Sequence, residues 1–291
     1  MFELHSKYPL RVLLEASGIK KSSYYKWLRK QNLKIAKDIE DTLILEHIKC
    51  LYQKHKGRYG VYRMTNALAI DYGVKVNHKR TYRLMKNNGF LSVIKAKKKY
   101  VKPGEAHPKR NILKRNFNTS CPFDKLVTYI TEMKICGIKI YLSSIKDLHT
   151  GMIESFEISR HPSLALAIAT IEKINDKTIP EGTYLHSDQG SLYNHLQFQM
   201  RLEEQNIIQS MSRKGTPIDN SPMESFFGTL KSELLYNPLI KILDIDDLID
   251  KTIAYIDYYN NDCIQKKLGY QTPAQFKINE ILRLKKEEIV F

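Results

Sequence analysis

Leu-His-Ser-Asp-Gln-Gly-Ser fills positions 185–191 and follows Gly182-Thr183-Tyr184, a short β-rich run that reads as a buried strand. Asp188 therefore stands where an apolar strand runs out into a polar, glycine-containing turn. Asp, Ser and Gly are turn formers in their own right, so a plain turn accounts for the stretch. Strand ends in α/β sheets are also where catalytic groups are presented. What decides between the two is the surrounding pattern and the presence of a second acidic group.

Upstream, LVTYITEMK (from Leu126), IKIYLSSIKD and MIESFEIS are β-branched or aromatic runs split by Cys136-Gly137 and His149-Thr150-Gly151. Such spacing predicts three antiparallel strands joined by tight turns. SLALAIATIEKIN (163–175) reads as a strongly apolar helix, TYLHSD as a fourth strand, Tyr193–Gln205 as a helix and NIIQSM as a fifth strand. A helix containing MESFFGTLKSELL follows, then helical segments at 244–261 and 273–288. Three antiparallel strands, then helix–strand–helix–strand–helix, is the order of an α/β fold with a ribonuclease-H-like mixed sheet.

The 291-residue length allows about two domains, and 42% apolar residues describe an ordinary globular chain. No run of about 18 apolar residues occurs, so no membrane span is expected. The N-terminus lacks a basic head followed by a continuous apolar segment, which argues against a secretory signal; the location expected is cytoplasmic, nucleoid-associated. Cys50, Cys121, Cys136 and Cys263 are widely spaced without a CxxC pair, which argues against a zinc site and fits reduced thiols. Charge is more informative than composition. Residues 1–110 hold 26 Lys/Arg against 8 Asp/Glu, whereas the remainder holds 21 against 23. The whole net charge of +16 thus belongs to the first third. That asymmetry points to a polyanion-binding module joined to a near-neutral one.

Within the basic third, residues 10–31 (LRVLLEASGIKKSSYYKWLRKQ) read as two short helices around Ser17-Gly18, the second capped near Ser22-Ser23. A longer helix is expected from about Asp38 to His55. A helix around Arg63–Asp71 should end at Tyr72-Gly73, and another should begin near Asn77 as N-cap. Two short helices around a glycine-containing turn match a helix-turn-helix, here spanning about 40–92. Its second helix carries Lys79, Arg80, Arg83 and Lys86, suited to major-groove docking and phosphate contact. Arg58 and Arg63 precede them, and Arg213, Lys214 and Lys231 extend the candidate DNA contacts into the second half. KAKKKYVK (95–102) closes a basic helical region at 1–102, with a linker at 103–122 and the sheet domain with its C-terminal helices at 123–291.

Asp188 gains a partner in Glu224, which lies in DNSPMESFFGTLKSE, where Ser221-Pro222 marks a helix start. A carboxylate in the first turns of a helix lies near the positive end of the dipole and can face a strand end as a metal ligand. Two carboxylates are the minimum for Mg²⁺. Two-metal phosphoryl transfer asks for a third that bridges the ions.

RYGVYRM (58–64), VNHKRTYRLMKNNG (76–89), HSDQGSLY (186–193), SMSRKGTPIDNSPMESFFGTLKSELLY (210–236) and YIDYYNN…KKLGYQTPAQF (255–276) together resemble the transposases of insertion sequences of the IS-three family. The similarity is to the product of their second reading frame, with its retroviral-integrase-like core, and it covers most of the chain. Thirty-five residues, 189 to 223, separate Asp188 from Glu224, the spacing that family uses. The resemblance implies two Asp and one Glu around Mg²⁺ (or Mn²⁺), cleaving and joining DNA strands. It also implies double-stranded DNA as partner, both element ends and target. An upstream-frame helix-turn-helix protein of the same element and a homo-oligomer on DNA are implied as well.

The sequence departs from that pattern at its first acidic position. Where the family has an Asp in mid-strand, the aligned residues are Leu126-Val127-Thr128-Tyr129-Ile130-Thr131. A phenol with pKa about 10 is neutral at pH 7 and cannot bridge metal ions as a carboxylate does. Glu132 is three residues on, so alternation puts it on the opposite strand face, and Asp147 is expected to serve a turn. Cys263 stands where the family commonly has Arg, and Leu126 where it has Trp. These departures predict a degenerate copy: a transposase-type protein whose incomplete triad is Asp188 and Glu224, with weakened metal binding. The alternative is a non-catalytic, sequence-specific DNA-binding protein or regulator derived from a transposase.

Overall fold

A computed structural model describes residues 7–94, 111–135, 137–174, 179–213 and 216–289. Contacts divide the chain into two compact units. The first comprises residues up to His55 together with Tyr59–Leu91, and the second comprises Lys56–Arg58 and everything from Ser92 onward.

The first unit is helical: α1 (Leu10–Ser17), α2 (Lys21–Lys54), α3 (Val61–Tyr72) and α4 (His78–Asn87). The expected break between a short helix ending near residue 31 and a second helix from Asp38 does not occur; α2 runs unbroken for 34 residues. The intervening Leu, Lys, Ile and Ala residues are helix-compatible and include no Gly or Pro, so nothing stops propagation. Ile44, Ile48 and Leu51 of α2 are buried with Met64, Ala67 and Leu68 of α3 and Leu84 and Met85 of α4. α3 ends and α4 begins at the residues expected. Gly73 ends α3 in the left-handed conformation at φ 68°. The Asn77 side chain caps α4 by accepting from the Lys79 N–H.

The second unit holds a five-stranded sheet in the order β3-β2-β1-β4-β5. Its strands are β1 (Lys125–Ile135), β2 (Ile138–Asp147), β3 (Ile153–Ser159), β4 (Tyr184–Ser187) and β5 (Ile208–Met211). β1–β2 and β2–β3 pair antiparallel, whereas β4 lies parallel to both β1 and β5. Crossovers through α5 (Leu164–Glu172) and α6 (Leu196–Glu204) make those parallel pairings possible, and α7 (Ser221–Leu230), α8 (Ile245–Asn261) and α9 (Pro273–Ile289) complete the unit. This is the ribonuclease-H-like mixed sheet that the element order predicts.

Strand alternation divides the core into two clusters. Val127 and Met133 of β1 join Met223, Phe226 and Leu230 of α7 and Leu248, Tyr255 and Ile256 of α8. Leu126 and Leu185 join Ala167 and Ile171 of α5 and Phe198 and Leu202 of α6. Tyr129 shares the parity of Val127 and packs with the α7–α8 cluster. The described part of the 103–122 stretch is tied to the sheet domain. Leu113 is buried in the α7–α8 cluster, and the Ile112 and Leu113 N–H groups both donate to Ser210 Oγ.

Candidate active site

β4 ends at Ser187, so Asp188 is the first residue beyond the strand. Its neighbour β1 is parallel and pairs Val127 with His186. Two residues further along, Tyr129 stands at the register position of Asp188. α7 lies across the same strand: Asn220 Nδ2, just before it, donates to the Thr128 carbonyl (3.0 Å), and the Phe227 and Tyr129 ring centroids are 6.0 Å apart. Glu224 sits in the first turn of α7 on its exposed side. The strand ends and the helix start thus bring Tyr129, Asp188 and Glu224 together. The Tyr129 phenol feels all three effects: burial raises its pKa above the ordinary value, and the charges of Asp188 and Glu224 raise it further. Tyr129 is therefore neutral at physiological pH.

Asp188 is half-buried, and burial raises its carboxyl pKa. The Gly190 N–H donates to its Oδ1 at 2.9 Å and opposes that rise. A Cβ on Gly190 would meet the same oxygen at 2.9 Å, so glycine is what lets the backbone cradle the carboxylate. His186, one turn of the pleat back, is fully buried between two hydroxyls, Nδ1 to Ser210 Oγ (2.9 Å) and Nε2 to Ser212 Oγ (3.0 Å). Burial lowers its pKa to about 4, so the ring is a neutral strut joining β4 to β5.

Neither of the nearby acids completes the site. Glu132 has the opposite strand parity and pairs with Lys139 (2.7 Å). Asp147 is buried in the β2–β3 turn, accepting from Thr150 Oγ1 (2.8 Å) and from the His149 N–H (3.0 Å). Among the described residues, no group of three His, Cys, Asp or Glu could hold a metal ion. The donor set at this position is two carboxylates and one neutral phenol, which does not fit a two-ion site with a bridging carboxylate.

The basic residues fare differently from one another. Lys79 and Lys86 are exposed on α4, and Lys86 lies over the Tyr82 ring. Arg80 and Arg83 are held by α2: Arg80 bonds Asp41 (2.6 Å) and Glu40 (2.9 Å), and Arg83 bonds Asp41 (2.5 Å). Arg63 is half-buried over Tyr59. Arg58 is buried inside the second unit, its guanidinium over the Tyr255 and Tyr258 rings (5.0 and 4.4 Å) and its Nε donating to the Glu233 carbonyl (3.4 Å). Arg213 grips the buried Asp219 through Nε and Nη2, both at 2.9 Å, with Arg115 on the same carboxylate (2.7 Å). Those cations hold the Asp219 carboxyl well below the usual range. Arg58 and Arg213 thus act first as internal braces. Lys231 opens a π-helical turn after α7 and is half-exposed; Lys214 lies outside the described residues. Cys263 is buried just beyond α8, its N–H donating to the Tyr258 carbonyl.

Sequence reasoning missed His186, Asp219 and Gly190 as parts of the site. The signal for Gly190 lay in the opening stretch itself, two residues after the acid; that for Asp219 was an acidic residue beside a Pro-rich helix start.

A mixed sheet with carboxylates at a parallel strand end and an adjoining helix start defines an integrase-type core, and residues 119–217 and 205–273 each match an integrase core domain. Residues 38–98 match an HTH-like domain. The putative transposase InsK for insertion sequence element IS150 of Escherichia coli is 36% identical over 94% of this chain and 95% of its own length. An uncharacterized transposase-like protein of Haemophilus influenzae is 37% identical over 72% of this chain and 96% of its own. The transposase InsF for insertion sequence IS3A of Escherichia coli is 25% identical over 79% and 81%. Among solved structures, the HTLV-2 integrase catalytic core domain in complex with magnesium aligns with a TM-score of 0.44 at 18% identity, over 54% of this chain and 97% of that one. The chain belongs to the family of insertion-sequence transposases.

Proposed function

We propose that this protein binds double-stranded DNA, element ends and target alike, as a member of a multimer, and that its strand-cleaving and strand-joining activity is weak or absent. The observation that carries the second part is Tyr129: a neutral, half-buried phenol beside Asp188 and Glu224, where phosphoryl transfer needs a third negative charge. The basic balance of residues 1–110 and the exposed Lys79 and Lys86 on α4 support the first part. Related transposases imply Mg²⁺ or Mn²⁺; here Asp188 and Glu224 supply two donors only, so no reaction step is assigned to bound metal. An upstream-frame helix-turn-helix protein is the expected companion for end recognition.

The same phenol supports a second reading, a DNA-binding regulator derived from a transposase. Genomic context separates the two: flanking inverted repeats mark an element, and an isolated expressed gene marks a recruited binder. The direct test is incubation with duplex DNA carrying the element's ends in Mg²⁺ or Mn²⁺. Little or no 3′-end cleavage is expected, and efficient cleavage by the unmodified protein overturns the reading.

A further inference from the structure

Charge is segregated along α2 in a way that ordinary helix energetics disfavours. Its first seventeen residues, 21–37, carry six Lys or Arg and no acidic residue; the next seventeen, 38–54, carry four acidic residues and two lysines. The acidic half has a use, because Asp41 and Glu40 clamp Arg80 and Arg83 of α4. Nothing comparable balances the basic half. No ion pair to Lys20, Lys21, Lys26, Arg29 or Lys30 occurs among the described residues, and all five are exposed. Two penalties follow. Lys20 and Lys21 sit at the positive end of the helix dipole, where cations are unfavourable. Lys26, Lys30 and Lys34 repeat at i, i+4, i+8, and each like-charge pair costs a helix a few tenths of a kcal/mol. A solvated helix would intersperse signs; a polyanion relieves both penalties at once.

The local fold matches that partner. α1 ends at Ser17, Gly18 adopts the left-handed conformation at φ 66°, and α2 begins at Lys21 after a three-residue turn. Two helices joined by a short glycine-containing turn make a helix-turn-helix. Each helix contributes a buried side chain here, Leu14 and Tyr24. Helical spacing puts Ser22, Lys26 and Arg29 on the side of α2 away from Tyr24, with Lys30 beside them. Tyr25 and Trp27 add exposed aromatic surface. The matched HTH-like domain starts at residue 38 and leaves this segment out.

We infer that α1 and the first turns of α2 form a second DNA-reading module, distinct from α3–α4, that docks double-stranded DNA through Lys26, Arg29 and Lys30. The inference rests on the reading that the chain binds duplex DNA. The test compares full-length wild type, Lys26→Gln/Arg29→Gln/Lys30→Gln and Lys79→Gln/Lys86→Gln by fluorescence anisotropy on a duplex carrying the element's end, between 50 and 200 mM salt. Each phosphate contact contributes about 0.9 to the slope of log affinity against log salt, so three lost contacts lower the slope by about 2.7. Across that fourfold salt range the affinity ratio then shrinks by roughly 40-fold. Gln keeps helix propensity, and far-UV circular dichroism checks that α2 persists. A triple variant with unchanged slope on duplex, whatever its effect on single-stranded RNA, overturns the second module while leaving the DNA-binding reading standing. Wild type that fails to bind duplex at all overturns both.

Discussion

His186 offers a quantitative test of how the strand carrying Asp188 is held. In the unfolded chain its imidazole titrates at the ordinary 6.5, whereas in the fold burial between Ser210 and Ser212 lowers the value to about 4. Between those two pH values the unfolded state binds the proton and the folded state does not, so stability rises with pH across the window. It is fully present above pH 6.5 and is lost as pH falls towards 4. At 1.36 kcal/mol per pH unit the swing is about 3 kcal/mol. Urea unfolding, followed by circular dichroism at pH 7, 6, 5 and 4.5, reads this as a midpoint falling by roughly 1–2 M for an m-value near 2 kcal/mol/M. Other groups titrate in the same range, so the decisive quantity is the difference from His186→Asn. That variant is less stable at pH 7 but lacks the histidine's share of the pH dependence. Parallel pH profiles for wild type and His186→Asn would refute the placement of a neutral, buried ring at this strand end.

Two other outcomes follow from the same geometry. Gly190→Ala forces its new Cβ against Asp188 Oδ1 and breaks the N–H bond that opposes the burial effect; the Asp188 carboxyl pKa, read by NMR titration, should rise above wild type, with about 1 kcal/mol of stability lost. Arg58→Met removes two cation–π contacts and a hydrogen bond inside the second unit, costing about 2–4 kcal/mol, so the thermal midpoint should fall by roughly 5–15 °C while the salt slope of duplex binding stays unchanged.

Much of the fold was legible because local signals agreed with each other. Alternation marked β1 to β3, Ser163 and Asp244 cap α5 and α8 where apolar periodicity begins, and Gly73 and Asn77 punctuate the helix-turn-helix. The length of α2 was not legible, since the stretch joining its two halves contains neither Gly nor Pro and so gives no stop signal, and no regular apolar stripe runs through it. At the site, the juxtaposition of Tyr129, Asp188 and Glu224 was readable from the motifs and their spacing. The partners of the arginines were not. Arg58, Arg80 and Arg213 look alike in sequence as candidate phosphate contacts, but Arg58 and Arg80 are committed by residues 39 to 175 positions away, pairings that only the tertiary fold creates, and Arg213 is committed by Asp219, 6 positions on.

On the proposed reading, Tyr129 leaves the core one carboxylate short. Isothermal titration of Mg²⁺ or Mn²⁺ into wild type, Tyr129→Asp and the uncharged control Tyr129→Asn tests it without depending on DNA cleavage. Tyr129→Asp is expected to gain metal affinity over both others, with wild type and Tyr129→Asn behaving alike. Wild type that binds two ions as tightly as Tyr129→Asp would contradict it.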